Sequence, residues 1–316
     1  MTPSSGRCGF TQYVLSNPNP LGLKNFILAS NDGLLLDFCI FVGKGNVPED
    51  DLKTLGLGGA VVKLLSLTLP QDGSHVIYID RFFTSVTSAE MLLEKSIFLT
   101  GTVMRTRIAP AASKLSDDKC LKRGEWCEIV RENGKLCVVK SKDNKCVTLL
   151  SSCTGSNPVG TCKRCSKKDG QKIDVPCPAV VQAYHQMIGG TDLCDRLLAY
   201  YRSSIRTKKW LVRVFNHFVD VVVVNCWSMY GRACVIADLN KRDQIPLIAF
   251  RLHLAMSLMK SQELCNISKQ PLRTCSEIDE ESSTDEEQFT PMPKYRKVVS
   301  QPVCEVRYDQ VGHYPV

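Results

Sequence analysis

The spacing of hydrophobic positions changes several times along the chain, and each change predicts a different kind of element. Residues 23–29 and 34–42 are apolar runs separated by Asn31-Asp32-Gly33, which predicts a β-hairpin because these residue types tolerate positive φ. The next elements are a helix over 61–69, a buried strand over 75–79 followed by Asp80, a helix opened by the capping box Thr87–Glu90, and a strand over 97–103. This order predicts a mixed α/β sheet within residues 1–105.

Residues 106–178 contain short strand-like runs separated by polar turns, which predict a small β-rich insertion domain. A helical period returns over 179–262, with predicted helices at 179–201, 210–230 and 245–259. On the second helix one face carries only apolar side chains, which predicts that it packs on the core: Leu211, Phe215, Phe218, Val222 and Met229. Residues 263–316 lose this period and predict an acidic, largely disordered tail.

Composition and charge narrow the class of protein. The chain has 316 residues, of which 44% are hydrophobic and 23% charged, so wholesale disorder is excluded. The net charge is +8, but seven acids and no base lie between Ser276 and Thr290, so the other 301 residues carry +15. A basic body with an acidic tail favours a polyanionic partner, and nucleic acid is the first candidate.

The sequence also bears on compartment. No apolar run approaches about 18 residues, and Met1–Arg7 contains no apolar signal region, so we expect neither a membrane span nor a secretory signal. Sixteen cysteines without such a signal favour reduced thiols rather than a disulfide framework. We therefore expect a nuclear or cytosolic protein.

Three aspartates are candidate ligands for a hard divalent cation. Asp80 follows a buried strand, at an edge where open α/β sheets bind ligands, although a turn aspartate or helix cap fits the same position. Asp192 and Asp195 lie three residues apart after Gly189-Gly190 and would share one helix face, although a helix N-terminus also favours acids. Local sequence alone favours the structural alternative at both places.

A run of cations follows these acids directly. The positions are spaced as on one stripe of a helix, with one more lysine beside it: Arg202, Arg206, Lys208, Lys209 and Arg213. A stripe of a single charge sign could follow a nucleic-acid backbone, and a solvated helix face explains it equally well. We predict DNA binding at these residues.

Four cysteines are candidate zinc ligands: Cys153, Cys162, Cys165 and Cys177. Four thiolates are a known structural set for Zn²⁺. Only Cys162 and Cys165 have the C-x-x-C spacing, however, and the outer two are loosely placed, so we do not expect Zn²⁺ here.

Several segments between about Gly6 and about Met259 together resemble the transposase domain of the piggyBac family and its transposable-element-derived relatives. The segments that carry the resemblance are Asn17–Phe26, Tyr78–Ser85, Gly101–Val103, Val175–Pro178 and Gly189–Asp195. No single segment decides the matter, but their order and spacing together are specific.

The resemblance implies an RNase H-like fold interrupted by an insertion domain, which agrees with the β-rich segment 106–178. It also implies three aspartates that bind two divalent ions, Mg²⁺ for example, for cleavage and joining of DNA at TTAA sites. By this resemblance Asp80 matches the second catalytic aspartate, Asp192 the third, and Asp195 the additional acid beside it.

The departures from the family pattern are also informative. Its first aspartate would precede the segment at Gly6, where Met1–Ser5 holds no acid, so we expect that residue and its central strand to be missing, as in a domain truncated at both ends. Arg81 replaces an asparagine, and the family's C-terminal cysteine-rich zinc module is absent. We therefore expect a mobile-element-derived, DNA-binding domain without catalysis of its own. The alternatives are a protein-interaction module that uses the acidic tail, and a fragment whose upstream sequence restores the first aspartate.

Overall fold

The computed structural model describes residues 2–3, 8–15, 20–70, 74–165, 170–207 and 209–267. Residues 1–263 form one compact unit, to which the sheets and their packing belong. The second unit, residues 264–316, is described only over 264–267, where helix α7 ends. The acidic segment between Ser276 and Thr290 lies outside the described residues.

The described residues contain twelve strands, most of them short. In chain order the strands are β1 (Thr2–Pro3), β2 (Gln12–Tyr13), β3 (Leu21–Leu23), β4 (Asn25–Ala29), β5 (Leu35–Ile40), β6 (His75–Ile79), β7 (Ile97–Thr102), β8 (Trp126–Val130), β9 (Cys137–Lys142), β10 (Cys146–Ser151), β11 (Gly160–Cys165) and β12 (Lys172–Cys177). Their pairing gives one five-stranded sheet, one three-stranded sheet and two hairpins.

The described residues also contain seven α-helices. These are α1 (Glu49–Ser66), α2 (Val86–Leu93), α3 (Ala109–Ala112), α4 (Ala179–Met187), α5 (Gly190–Tyr200), α6 (Trp210–Ile236) and α7 (Leu247–Ile267). Two short 3₁₀ turns, Lys44–Asn46 and Arg105–Ile108, complete the regular structure.

The five-stranded sheet has the order β6-β7-β10-β9-β8 and confirms the predicted mixed α/β class. β6 and β7 are parallel, with α2 as the crossover, whereas β7, β10, β9 and β8 are antiparallel neighbours. β8, β9 and β10 belong to the segment predicted as an insertion, and β10 pairs directly with β7. The insertion boundaries themselves remain a prediction.

The main core lies between this sheet and the helices beside it, where Leu92 of α2 packs with Ile77, Leu99 and Leu150 of the sheet. The predicted hairpin at 23–42 is present as β4 and β5, with a register shift near Ala29. In the described part of the chain, β4 pairs only with β5 and β6 only with β7. A cavity of about 80 Å³ separates β4 from β6, and α1 residues line its other side.

Several helix boundaries differ from the sequence prediction. α1 begins at Glu49, twelve residues before the predicted start, where three acids in its first turn favour a helix N-terminus, and it is kinked at Gly56, which has φ +66°. The cap of α2 is Ser85 rather than Thr87, and its hydroxyl oxygen accepts the Ser88 N–H at 3.0 Å. The single helix predicted over 179–201 is two helices, α4 and α5, and the hairpin of β11 and β12 was not predicted.

The predicted core face of α6 is wrong. Leu211, Phe215, Val222 and Met229 are 59–67% exposed, and only Phe218 is partly buried. The helix instead packs through His217, Asp220, Val221, Val224 and Cys234. Because apolar residues occur nearly all round this helix, periodicity could not identify which face α5 would cover.

α6 is also long and apolar enough, by length and composition alone, to cross a membrane, although the sequence contains no long uninterrupted apolar run. Its polar side chains join it to the rest of the fold. Asn225 donates to the Leu35 carbonyl at 2.8 Å and accepts the Leu35 N–H at 3.0 Å, and Asp220 forms an ion pair with Arg251 of α7. We therefore interpret α6 as a helix of the folded domain.

The packing around Gly101 gives a stability prediction. A Cβ at this position in β7 would lie 2.7 Å from the Ile79 carbonyl oxygen and would also collide with the Thr84 hydroxyl. Gly101→Ala is therefore expected to lower the free energy of unfolding in urea by about 3 kcal/mol. Gly231→Ala in α6 is the matched control, since nothing lies within 4 Å of its Cβ, and it should raise that free energy by up to about 1 kcal/mol. Equal stability of the two variants would contradict the packing described.

Candidate functional site

Asp80 follows directly after β6 and is exposed. Its Oδ1 accepts the Phe82 N–H at 2.7 Å, and its carbonyl oxygen accepts the N–H groups of Phe83 and Thr84. Asp80 thus closes a tight turn, which is the structural alternative weighed from the sequence. In the described part of the chain its carboxylate has no ion pair, so closing the turn does not prevent it from serving as a ligand.

Arg107 fixes this turn from outside. Its Nη1 donates to the carbonyl oxygens of Phe82 at 2.7 Å and Thr84 at 2.9 Å, and lies 3.2 Å from that of Arg81. Hydrogen bonds from a charged donor are the stronger ones in proteins, so one guanidinium group holds the backbone that carries Asp80. Arg107 could not be identified from the sequence, because nothing in its neighbourhood indicates that it reaches a turn twenty-five residues earlier.

The start of α5 lies near the same edge of the sheet. Thr191 lines the cavity between β4 and β6 together with Ile79, so the residues beside Asp192 and Asp80 meet there. Gly190 permits this approach, since a Cβ would collide with the Ser30 carbonyl oxygen. Tyr184 of α4 also lies near Asp80: burial raises the pKa of the Tyr184 phenol, and the charge of Asp80 adds to the effect.

Asp192 and Asp195 are exposed, and neither carboxylate has a hydrogen bond or an ion pair with any other described residue. Carboxylate oxygens are suitable ligands for Mg²⁺. Within the described ranges, however, no group of three or more His, Cys, Asp or Glu side chains could hold a metal ion. The described donors therefore have the right chemistry for a hard cation but are too few to hold one.

The predicted stripe of cations is not helical. Residues 202–207 form an irregular segment between α5 and α6, so the i, i+4 spacing does not place them on one helix face. Three of the cations nevertheless come together, because Arg202, Arg206 and Arg213 line a cavity of about 390 Å³. Lys209 is exposed just before α6, and Lys208 lies outside the described residues.

Asp220 holds this irregular segment in place. It is 2% exposed, accepts the N–H of Ser203 at 2.9 Å and the hydroxyl of Ser203 at 2.8 Å, and pairs with Arg251 at 2.7 Å. Burial alone would raise the pKa of Asp220, but hydrogen bonds from Arg251 and Ser203 lower it below its usual value. Asp220 is the only residue of Val219–Val224 that is not valine, and this isolated acid is the feature of the sequence that could have indicated its structural role.

The four candidate zinc cysteines are distributed over two places: Cys162, Cys165 and Cys177 lie in the β11–β12 hairpin, and Cys153 lies outside it. Cys162 of β11 and Cys177 of β12 are neighbours across their hairpin. The pKa of the Cys177 thiol is raised to about 12, mainly by burial and secondly by its hydrogen bond with the Cys162 thiol. Cys153 instead lies beside Thr100 and Ser151 of the large sheet. Among the described residues no metal-holding group includes these thiols.

Comparison with known proteins agrees with this architecture. The family described as transposase IS4 matches residues 1–227, which is more than half of the chain. The chain belongs to this transposase family. Its curated similarities place it among the piggyBac-type members. It is 31% identical over 235 residues to human piggyBac transposable element-derived protein 3, covering 73% of this chain and 39% of that protein.

Two further relatives extend the comparison. Human piggyBac transposable element-derived protein 2 is 28% identical over 259 residues, covering 81% of this chain and 42% of that protein. A cryo-EM structure of a piggyBac transposase synaptic complex with hairpin DNA matches with a TM-score of 0.67 at 24% identity, covering 86% of this chain and 53% of that one. This piggyBac-type chain therefore shares the transposase fold and spans about two fifths of the length of these two curated relatives.

The Asp80 turn gives a prediction about Arg107. Arg107→Ala should lower the free energy of unfolding by about 2 kcal/mol, because three backbone carbonyls lose a charged donor. It should also speed amide hydrogen exchange at Phe83 and Thr84, measured by NMR or mass spectrometry. Arg81→Ala removes an exposed guanidinium next to the same turn and should change neither quantity measurably. Similar exchange in both variants would show that Arg107 does not hold the turn.

Proposed function

We propose that this chain is a DNA-binding domain derived from a piggyBac-type transposase, and that residues 1–316 do not catalyse DNA strand transfer alone. The observation that carries the proposal is the convergence of Arg202, Arg206 and Arg213 on one cavity, next to the helix that begins with the candidate acids. The relative solved with hairpin DNA supports DNA as the partner. DNA as the partner also favours the nucleus as its compartment.

The charge distribution supports a nucleic-acid backbone as ligand. Within the described residues, Arg202 and Arg206 have neither an ion pair nor a hydrogen bond, so their guanidinium groups are available to phosphates. Arginine binds phosphate oxygens through two parallel N–H donors, which suits a backbone contact. The sequence outside the acidic segment carries +15, which favours association with a polyanion.

The acids support loss of catalysis by this chain alone. Two-metal strand transfer needs carboxylates that hold both ions about 3.5–4 Å apart. By resemblance Asp80 and Asp192 supply two of the three such ligands, and Asp195 is an additional acid. Among the described residues no group of three or more side chains that could hold a metal ion includes them. Arg81 follows Asp80 directly, so its positive charge would compete with a divalent ion for the Asp80 carboxylate. We do not propose the alternative role as a protein-interaction module, since family membership and the free arginines favour DNA.

DNA binding is expected to depend steeply on salt. Each phosphate contact contributes about −0.9 to the slope of log K against log salt concentration. Arg206→Gln with Lys209→Gln should therefore reduce the slope by about 1.8 and weaken binding, as measured by fluorescence anisotropy with a duplex of about 20 base pairs. Both residues are exposed, so the fold should be unaffected.

The matched control is Lys119→Gln with Lys135→Gln. It removes the same charge from exposed positions away from the α5–α6 segment and should leave the slope nearly unchanged. Binding that does not depend on salt, or equal losses in the two double variants, would contradict the proposed DNA surface.

A nicking assay tests the loss of catalysis. Purified protein with Mg²⁺ should leave a duplex ending in TTAA intact, because the metal-binding carboxylates are incomplete. Asp80→Ala and Asp192→Ala serve as controls for contaminating nuclease, which they would not affect. Nicking by the unmodified chain that both substitutions abolish would overturn the proposal, since another acid would then replace the missing ligand.

A further inference from the structure

The cavity between the α5–α6 segment and α6 has the volume and charge of a ligand site. Its volume of about 390 Å³ falls in the range of small-molecule pockets, and Arg202, Arg206 and Arg213 lie on its walls. Asp220 is the acid that lines it, and Arg251 already pairs with this carboxylate at 2.7 Å. The cavity therefore keeps an excess of positive charge that no described residue neutralises.

His217 supplies an independent sign of a missing ligand. Its side chain is 8% exposed and lines the cavity, yet its buried Nδ1 has no hydrogen-bond partner in the described structure. Buried polar atoms in folded proteins are almost always hydrogen-bonded, so an orphaned one calls for an explanation. Burial, together with the charge of Arg202, lowers the pKa of His217 to about 4, so the ring is neutral at pH 7.

The walls of the cavity are held in position without a ligand. Asp220 binds both the N–H and the hydroxyl of Ser203, which fixes the backbone between Arg202 and the following residues. Arg213 donates from Nε to the Thr207 carbonyl oxygen at 2.8 Å and so ties the other end of the segment to α6. A site formed in advance loses less conformational entropy on binding than one that must fold around its ligand.

We propose that this cavity is a binding site for one phosphate group, with His217 at its wall and Arg202 and Arg206 as the charged donors. The arginines attract the anion, and the His217 ring offers a neutral N–H that a phosphate oxygen can accept. The inference that the phosphate belongs to a DNA backbone rests on the proposed function, whereas the phosphate chemistry does not. From Asp192 to Tyr200, where α5 ends, the chain advances about 12 Å along the helix, so the cavity lies beyond the end of α5 that is opposite Asp192.

The test uses the full chain labelled with ¹⁵N at its five histidines, so that the imidazole nitrogens can be followed by NMR. Inorganic phosphate, titrated at constant ionic strength, should shift the His217 signal in a saturable manner. His217→Asn assigns the signal. His253 is exposed on α7 and outside the cavity, so its signal should not move and serves as the internal reference. A His217 signal that phosphate leaves unchanged would overturn the proposal.

Charge variants separate a built site from general attraction. Arg202→Gln with Arg206→Gln should weaken phosphate binding at least tenfold. Lys241→Gln with Arg242→Gln removes equal charge from exposed residues that do not line the cavity and should change the affinity less than twofold. Equal weakening in both double variants would show that only long-range electrostatics is at work and would overturn the site.

A second titration identifies the source of the phosphate. A short duplex without terminal phosphates should shift His217 in the same direction as inorganic phosphate, because its backbone would occupy the cavity. A shift with inorganic phosphate but not with a duplex that binds would support the site and assign it to free phosphate. A duplex that fails to bind at all would contradict the proposed DNA function and leave the phosphate titration as the test of the cavity.

Discussion

The turn after β6 is the constraint on which the candidate site depends. Gly58 of α1 permits close packing against it, because a Cβ there would lie 2.5 Å from the Phe82 carbonyl oxygen. Gly101 does the same from β7, and Arg107 binds the carbonyls that the turn leaves without partners. Three distant positions thus fix the backbone of Asp80, while its carboxylate makes a single hydrogen bond and stays exposed. An acid that binds a ligand needs a rigidly held backbone and a carboxylate that remains accessible.

Helix α5 links the two halves of the proposed function. Its N-terminus packs on the β4–β5 turn, where Gly33 has φ +85° and leaves room for Leu193. Its buried side, with Leu197 and Leu198, packs on α6. The acids therefore stand at one end of a well-packed helix and the arginine cavity follows its other end. A change that tilts α5 should disturb both regions together, which local sequence gives no reason to expect.

The sequence predicted what is encoded locally. β6 and β7 were recognised because short apolar runs bounded by polar turns have few other interpretations, and Asp80 was placed correctly at the end of β6. The outward face of α6 was misassigned because Val221, Val224 and Phe215 look alike until α5 covers one side. The prediction of a helical stripe of arginines was wrong, because Ser203 donates to Asp220, seventeen residues away, and the chain does not continue α5 at this point. Arg107 and His217 were missed because their roles depend on contacts that distant segments create.

The separation of opposite charges on α5 explains why both sets remain unpaired. Asp192 lies about 12 Å along the helix axis from Tyr200, where α5 ends before Arg202, and this is beyond the roughly 8 Å over which physiological salt screens exposed charges. The two groups therefore do not neutralise each other, and neither needs a partner to be tolerated at the surface. The helix dipole stabilises Asp192 by only about 0.3–1 kcal/mol, so folding alone gives weak reason for an acid there. The acid end of α5 and the arginine cavity beyond its other end are therefore two separate charged surfaces, and only the arginine surface attracts a polyanion.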